Sequence, residues 1–160
     1  MSKPLTNYTN TDAVRGAIGL TDNEVTDEML VEQNLGPALI FELNDWVPTH
    51  KTIYQAGRVE GATDDEETQY RLLQLYSMWW CACRAAKMVL AIPEKISDGK
   101  AEMKRFNDLD LAGIAAEACG MAVYYQKQLQ EELGETVDSS GHTLFGSAAP
   151  DYDPVTNEGA

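Results

Sequence analysis

An all-α fold is predicted, a bundle of about four helices, two of them long, with an extended C-terminal tail. Three kinds of signal point to it: apolar stripes at helical spacing, capping residues at their starts, and proline or glycine at their ends. The strongest stretch runs from Thr63 to Ala91. Thr63 with Glu66 makes a capping-box pattern, and Asp64, Asp65, Glu66 and Glu67 suit the positive end of a helix. Leu72, Leu75, Tyr76, Trp79, Cys83, Ala86 and Leu90 then recur within a narrow helical arc, widened by Leu73 and Trp80 on one side and Met78, Ala82 and Val89 on the other. No Gly or Pro interrupts the run and Pro93 stops it, which gives one helix of roughly 27 residues, about 40 Å long.

The remaining elements follow in order. Residues 1–10 read as a flexible leader, 11–133 as one helical domain, and 134–160 as a tail that is extended or ordered by a partner. Asp12–Leu20 reads as a short helix with Val14, Ala17 and Ile18 inward, ended near Gly19. Thr21 with Glu24, followed at once by Thr26-Asp27-Glu28, predicts a single turn and then a helix from about Asp27. That helix carries Met29, Leu30, Leu35, Leu39, Ile40, Leu43, Trp46 and Val47, and Gly36-Pro37 should kink or split it. Residues 48–62 form a connector, with a hairpin around Thr52–Tyr54 as a minor option. Residues 92–101 form a loop with a turn at Ser97-Asp98-Gly99.

A last helix is expected from about Ala101 or Arg105 to Leu133, packed antiparallel to the first long one. Its main face is Leu111, Ile114, Ala115, Ala118, Met121, Ala122, Tyr125 and Leu129. The opposite face is not polar: Leu109, Gly113, Ala116, Gly120 and Val123 line it. Glycine in a helix interior costs about 0.8–1 kcal/mol relative to alanine, so close approach of a second helix is expected there, and a neighbouring subunit is the natural source.

Composition bounds function. Twelve basic residues against 26 acidic ones give a formal charge of −14. That excludes a phosphate-tracking nucleic-acid binder, which needs a basic footprint, and an anchor on anionic lipid. No run reaches membrane-spanning length and the N-terminus lacks the apolar core of a signal peptide, so a reducing intracellular site is the default expectation. Cys81, Cys83 and Cys119 are read as small apolar packing residues, with a metal site or disulfide as the lesser alternative. His50 and His142 read as exposed loop histidines without a role. No phosphate-binding, dinucleotide-binding, zinc or calcium motif is present, and no catalytic, cofactor or metal site is predicted.

Two features stand apart. Lys95, Lys100, Lys104 and Arg105 form the basic cluster of the chain, either a solvated turn or a contact to an acidic partner. Residues 134–160 hold Glu135, Asp138, Asp151, Asp153 and Glu158 with no Lys or Arg, and their large apolar groups are Leu144, Phe145 and Tyr152. Such a segment cannot fold alone, but those three side chains could anchor it on a partner.

Two stretches, Ala13–Asp27 and Ile96–Phe106, resemble the head-tail adaptor (head-completion, connector) proteins of tailed bacteriophages. The first matches that family's short N-terminal helix and capped entry to the next, the second its loop between two long helices. The resemblance covers about residues 12–133. Gly36-Pro37 and a tail of this length depart from the family pattern. It implies a virion protein assembled in the host cytoplasm as a homo-oligomeric ring, often of twelve copies. The ring would bind the portal protein above and a tail or stopper (nozzle) protein below. Genomic DNA would pass through its channel without sequence-specific contact, with no membrane and no enzymatic activity. C-terminal segments of related proteins reach the portal or a neighbouring subunit. The rival expectation from composition is a small acidic helical interaction module, inhibitor-like or antitoxin-like, acting as a monomer or dimer.

Overall fold

A computed structural model of the chain describes residues 2–90, 95–97, 102–104 and 110–134. The protein is mostly helical, and six helices rather than four occupy the described residues: α1 (Thr11–Ile18), α2 (Asp27–Glu32), α3 (Leu35–Trp46), α4 (His50–Ala56), α5 (Asp64–Leu90) and α6 (Leu111–Glu132). Two short strands, β1 (Lys95–Ser97) and β2 (Glu102–Lys104), pair antiparallel between α5 and α6.

The starts and stops are local chemistry. Asn10 caps α1 by accepting from the Ala13 N–H at 2.9 Å, and Gly19 ends it in the left-handed region at φ 67°. The Glu24 carboxylate takes the Thr21 N–H at 2.7 Å, closing the expected single turn, and Thr26 caps α2. Asn34 adopts φ 55° and breaks the expected second helix into α2 and α3. Pro37 then falls in the first turn of α3, where its missing N–H costs nothing. At α5 the Thr63 N–H donates to Glu66 at 2.8 Å and the Glu66 N–H to the Thr63 hydroxyl at 3.3 Å, the reciprocal capping box.

Three expectations need correction. The connector after Pro48 contains a helix, α4, and no hairpin at Thr52–Tyr54. The last long helix starts at Leu111, not at Ala101 or Arg105, because Asp110 caps it by accepting from the Gly113 N–H at 2.9 Å while residues 102–104 pair as a strand. Residues 3–10 are not a loose leader. The Thr11 N–H donates to the Lys3 carbonyl, the Leu5 and Thr6 N–H groups to Thr9, and Tyr8 and Thr9 are buried. Gly36 shows how tightly this segment is seated: a Cβ there would overlap the Leu5 carbonyl oxygen.

α5 is the centre of the core, packing on α6 most extensively and also on α1, α3 and α4. Its buried residues, Leu73, Tyr76, Ser77, Trp80, Cys81, Ala82, Ala85, Ala86 and Val89, surround much of the helix. The arc is rotated from the one expected: Leu72 and Trp79 pack only at its edge, and Leu90 is exposed. Alanine dominates the pair, with Ala82, Ala85 and Ala86 on α5 and Ala115, Ala118 and Ala122 on α6 all buried. Small side chains let two helix backbones approach closely, and Cys83 and Cys119 join as a disulfide with Cα atoms 4.6 Å apart. The expectation of unpaired packing cysteines therefore holds for Cys81 alone, whose thiol is pushed up to about 12 by burial.

Candidate functional site

The outward face of α6 is the surface that sequence reasoning singled out. Gly113, Ala116, Gly120 and Val123 are all exposed, on the side of α6 turned away from Ala115, Ala118 and Ala122. Val123 keeps 51% of its surface in solvent and its neighbour Tyr124 keeps 52%. Among the described residues, apart from its chain neighbours and the backbone of α6 itself, no atom comes within 4 Å of a Cβ built on Gly120, so none of these contacts requires glycine there. Gly113 differs: the capping carboxylate of Asp110 occupies the space of its missing Cβ, a local reason in place of the expected helix contact.

Lys95 and Lys104 are register partners across the hairpin. Lys100, Arg105, Leu109, Leu144, Phe145 and Tyr152 lie outside the described residues.

Two buried polar clusters were not anticipated. His50, expected as an exposed loop residue, has no exposed surface. Its Nδ1 lies 2.5 Å from the Tyr8 hydroxyl and its Nε2 3.0 Å from Asn44 Oδ1. The neutral tautomer protonated on Nε2 satisfies both, donating to Asn44 and accepting from Tyr8. Desolvation, helped by Lys51, lowers the pKa of the ring, and burial raises that of Tyr8, so both stay uncharged. Arg15, 7% exposed, sits between Asp12 at 2.5 Å and Asp27 at 2.7 Å and donates to the Val25 carbonyl at 3.2 Å. Burial opposes its charge, but hydrogen bonds to Asp27 and Asp12 outweigh that and hold its pKa up. Asp27 is held low by the Thr11 hydroxyl and by Arg15. The Asp12–Arg15 spacing was legible as an i,i+3 pair. Tyr8 and His50 are 42 residues apart, and no local signal links them.

Two of the grooves on the described surface bear on the question of a site. One, of about 690 Å³, runs along Asp12, Arg15, Leu20, Thr21, Asp27 and Glu28. Three of its carboxylates are engaged: Asp12 and Asp27 bind Arg15, and Glu28 binds Lys3 at 2.5 Å. The other, of about 310 Å³, lies between α3 and the C-terminal half of α5, lined by Gln33, Leu35, Ala38, Arg84, Lys87 and Met88. The Arg84 guanidinium stacks 4.1 Å over the Trp80 ring. Among the described residues no group of three His, Cys, Asp or Glu side chains is placed to hold a metal ion. No described helix is long and apolar enough to cross a membrane. The described surface presents an exposed face of α6, a groove lined by several carboxylates and a groove lined by Arg84 and Lys87. No protein-family model, curated protein or solved structure matches this chain.

Proposed function

We propose that this chain is a head-tail adaptor of a tailed bacteriophage, one subunit of a homo-oligomeric ring, twelve copies in the commonest form, seated beneath the portal. The observation that carries the reading is the outward face of α6, where Ala116, Gly120, Val123 and Tyr124 stand exposed on a helix whose other side is buried on α5. A small-residue face of this kind suits close helix packing by a neighbouring copy. In this reading the helices of residues 11–133 act as one bundle, and residues 134–160 extend to the portal or an adjacent subunit through Leu144, Phe145 and Tyr152. Lys95, Lys100, Lys104 and Arg105 meet an acidic partner surface, and the acidic body lets DNA slide through the channel without adhering. The protein has no enzymatic role in this account.

Gly120→Leu tests it. The variant is expected to retain far-UV helicity, since among the described residues a Cβ at Gly120 meets no packing contact, while losing ring assembly measured by native mass or electron microscopy. Normal rings from this variant would remove α6 as the interface. A compact species of one or two copies, with and without a portal, would favour the acidic interaction module instead.

A further inference from the structure

Residues 3–10 form a loop that closes largely on itself. The Leu5 and Thr6 N–H groups donate to the Thr9 carbonyl, the Tyr8 N–H donates to the Thr6 hydroxyl, and Pro4 pairs with Asn10 as an isolated bridge. Toward the helices the loop offers a solvent-exposed ion pair, Lys3 with Glu28, of a kind that stabilises little. Its deepest fastening is the buried Tyr8 side chain. The loop also carries a cost of its own. The Thr9 hydroxyl is buried with no hydrogen-bond partner among the described residues, so the seated loop is less stable than a fully satisfied one.

The Tyr8 fastening depends on the protonation state of His50. In the neutral ring Nδ1 accepts from the Tyr8 hydroxyl and Nε2–H donates to Asn44. A second proton, taken from solvent, turns both ring nitrogens into donors. The Tyr8 O–H then loses its acceptor, and no other partner for it stands among the described residues. The groups around the ring do not favour the new charge either. Tyr8 comes from the loop, Asn44 from α3, and Lys51 from α4 brings a field that opposes it. Beyond Tyr8 the neighbours are aromatic: its ring lies edge-on to Tyr54 at 5.1 Å between centroids, and Tyr54 tilts against Tyr70 of α5. Among the described residues no Asp or Glu bonds to the ring. Opening the loop hydrates the imidazolium, the Tyr8 hydroxyl and the Thr9 hydroxyl together.

We infer that residues 3–10 are an acid-released latch: a proton on His50 Nδ1 expels Tyr8 and frees the loop while the helices stay folded. Release uncovers the rings of His50 and Tyr54 and the first turn of α3 at Gly36, on which the Leu5 carbonyl is seated. The inference does not rest on the adaptor reading, because a chain that forms no ring would carry the same latch.

Amide hydrogen exchange on the full-length chain tests it, read as protection factors corrected for the pH dependence of intrinsic exchange. At pH 7 the Leu5, Thr6 and Thr11 amides should be about tenfold or more less protected than the centre of α5, because the loop opens without global unfolding. From pH 7 to pH 5 their protection should fall by about fivefold or more, with about tenfold per pH unit as the limit for one proton. His50→Asn should remove this dependence. Glu42→Gln and His142→Asn should leave it in place; Glu42 is the control because desolvation raises its pKa toward the same window, and His142 because it is the other histidine of the chain. Tyr8→Phe should lower loop protection about fivefold already at pH 7. By NMR titration it should also raise the His50 pKa toward the ordinary 6.5, since the hydroxyl that holds the neutral ring is gone. That titration decides the matter even if His50→Asn fails to fold. Protection of Leu5, Thr6 and Thr11 equal to that of α5 would overturn the latch, since the loop would then open only with the whole molecule. So would protection that does not change with pH, a pH dependence that survives His50→Asn or vanishes in either control, or a His50 pKa that Tyr8→Phe leaves unmoved.

Discussion

Protonating His50 would put a charge between Tyr8 and Asn44, with Lys51 nearby adding repulsion, in a site with no exposed surface. The folded pKa lies below the ordinary 6.5, so the unfolded chain binds this proton more readily. His50 therefore contributes stability that is fully present above 6.5 and is lost as pH falls toward the folded pKa. Urea midpoints should drop from about pH 7 to about pH 5 in the native chain, and His50→Asn should flatten that slope. An unchanged slope would mean that another group titrates. Glycine positions separate in the same residue-level way. Gly36→Ala should cost about 1–3 kcal/mol, because the new Cβ meets the Leu5 carbonyl and the buried N-terminal segment must shift. Gly16→Ala, in α1 with open space around it, should instead be neutral or stabilising by up to about 1 kcal/mol. The core aromatics invert one sequence expectation: Trp80, 7% exposed, should lose about 3–5 kcal/mol on truncation to alanine, and half-buried Trp79 clearly less.

The α5–α6 pair shows which features of an element could be read beforehand. The start of α5 was legible because the capping box and four acids are contiguous in sequence, and its length because no breaker intervenes before Pro93. The inward face of α6 was legible too: Leu111, Ala115, Ala118, Ala122 and Leu129 are buried as their spacing requires. The rotation of the buried arc on α5 was not, because a helix apolar on most sides leaves its orientation to its neighbours. Nor was the Cys83–Cys119 bond, whose partners are 36 residues apart and meet only when both helices have packed. Closing a loop of that length restricts the unfolded chain, so reduction, or Cys83→Ser with Cys119→Ser, should lower stability by about 2–4 kcal/mol in denaturant melts under matched conditions. A shift under about 0.5 kcal/mol would mean the thiols are unpaired in solution.

At the scale of the whole molecule, one core is drawn from α1 to α6 and the N-terminal segment, and among the described residues the last buried one is Leu129. With few large apolar residues in 135–160, their deletion should keep the helices folded, with stability changed by no more than about 1–2 kcal/mol, while weakening attachment to portal-bearing heads if the adaptor reading holds. Heads that bind truncated and full-length protein equally would make the tail a passive extension. The same deletion removes five negative charges, which should make residual oligomerisation less sensitive to salt.

Helical class, the stop at Gly19, the division of the second helix (though the break falls at Asn34 and not at Gly36-Pro37), the capped starts at Thr21, Thr26 and Thr63, and a net charge of −14 were all legible in sequence alone. Each depends on residues within a few positions of one another or on total charge. Only tertiary structure decided that α4 forms where a connector was expected, and that residues 3–10 are pinned by Tyr8 on His50 and by Leu5 against Gly36. It alone decided that Arg15 is neutralised by acids from two segments, and that Arg84 and Lys87 share a groove with Leu35. In each case the deciding partner is distant along the chain. Burial energy and hydrogen-bond satisfaction act on neighbours in space, and sequence spacing does not record those neighbours.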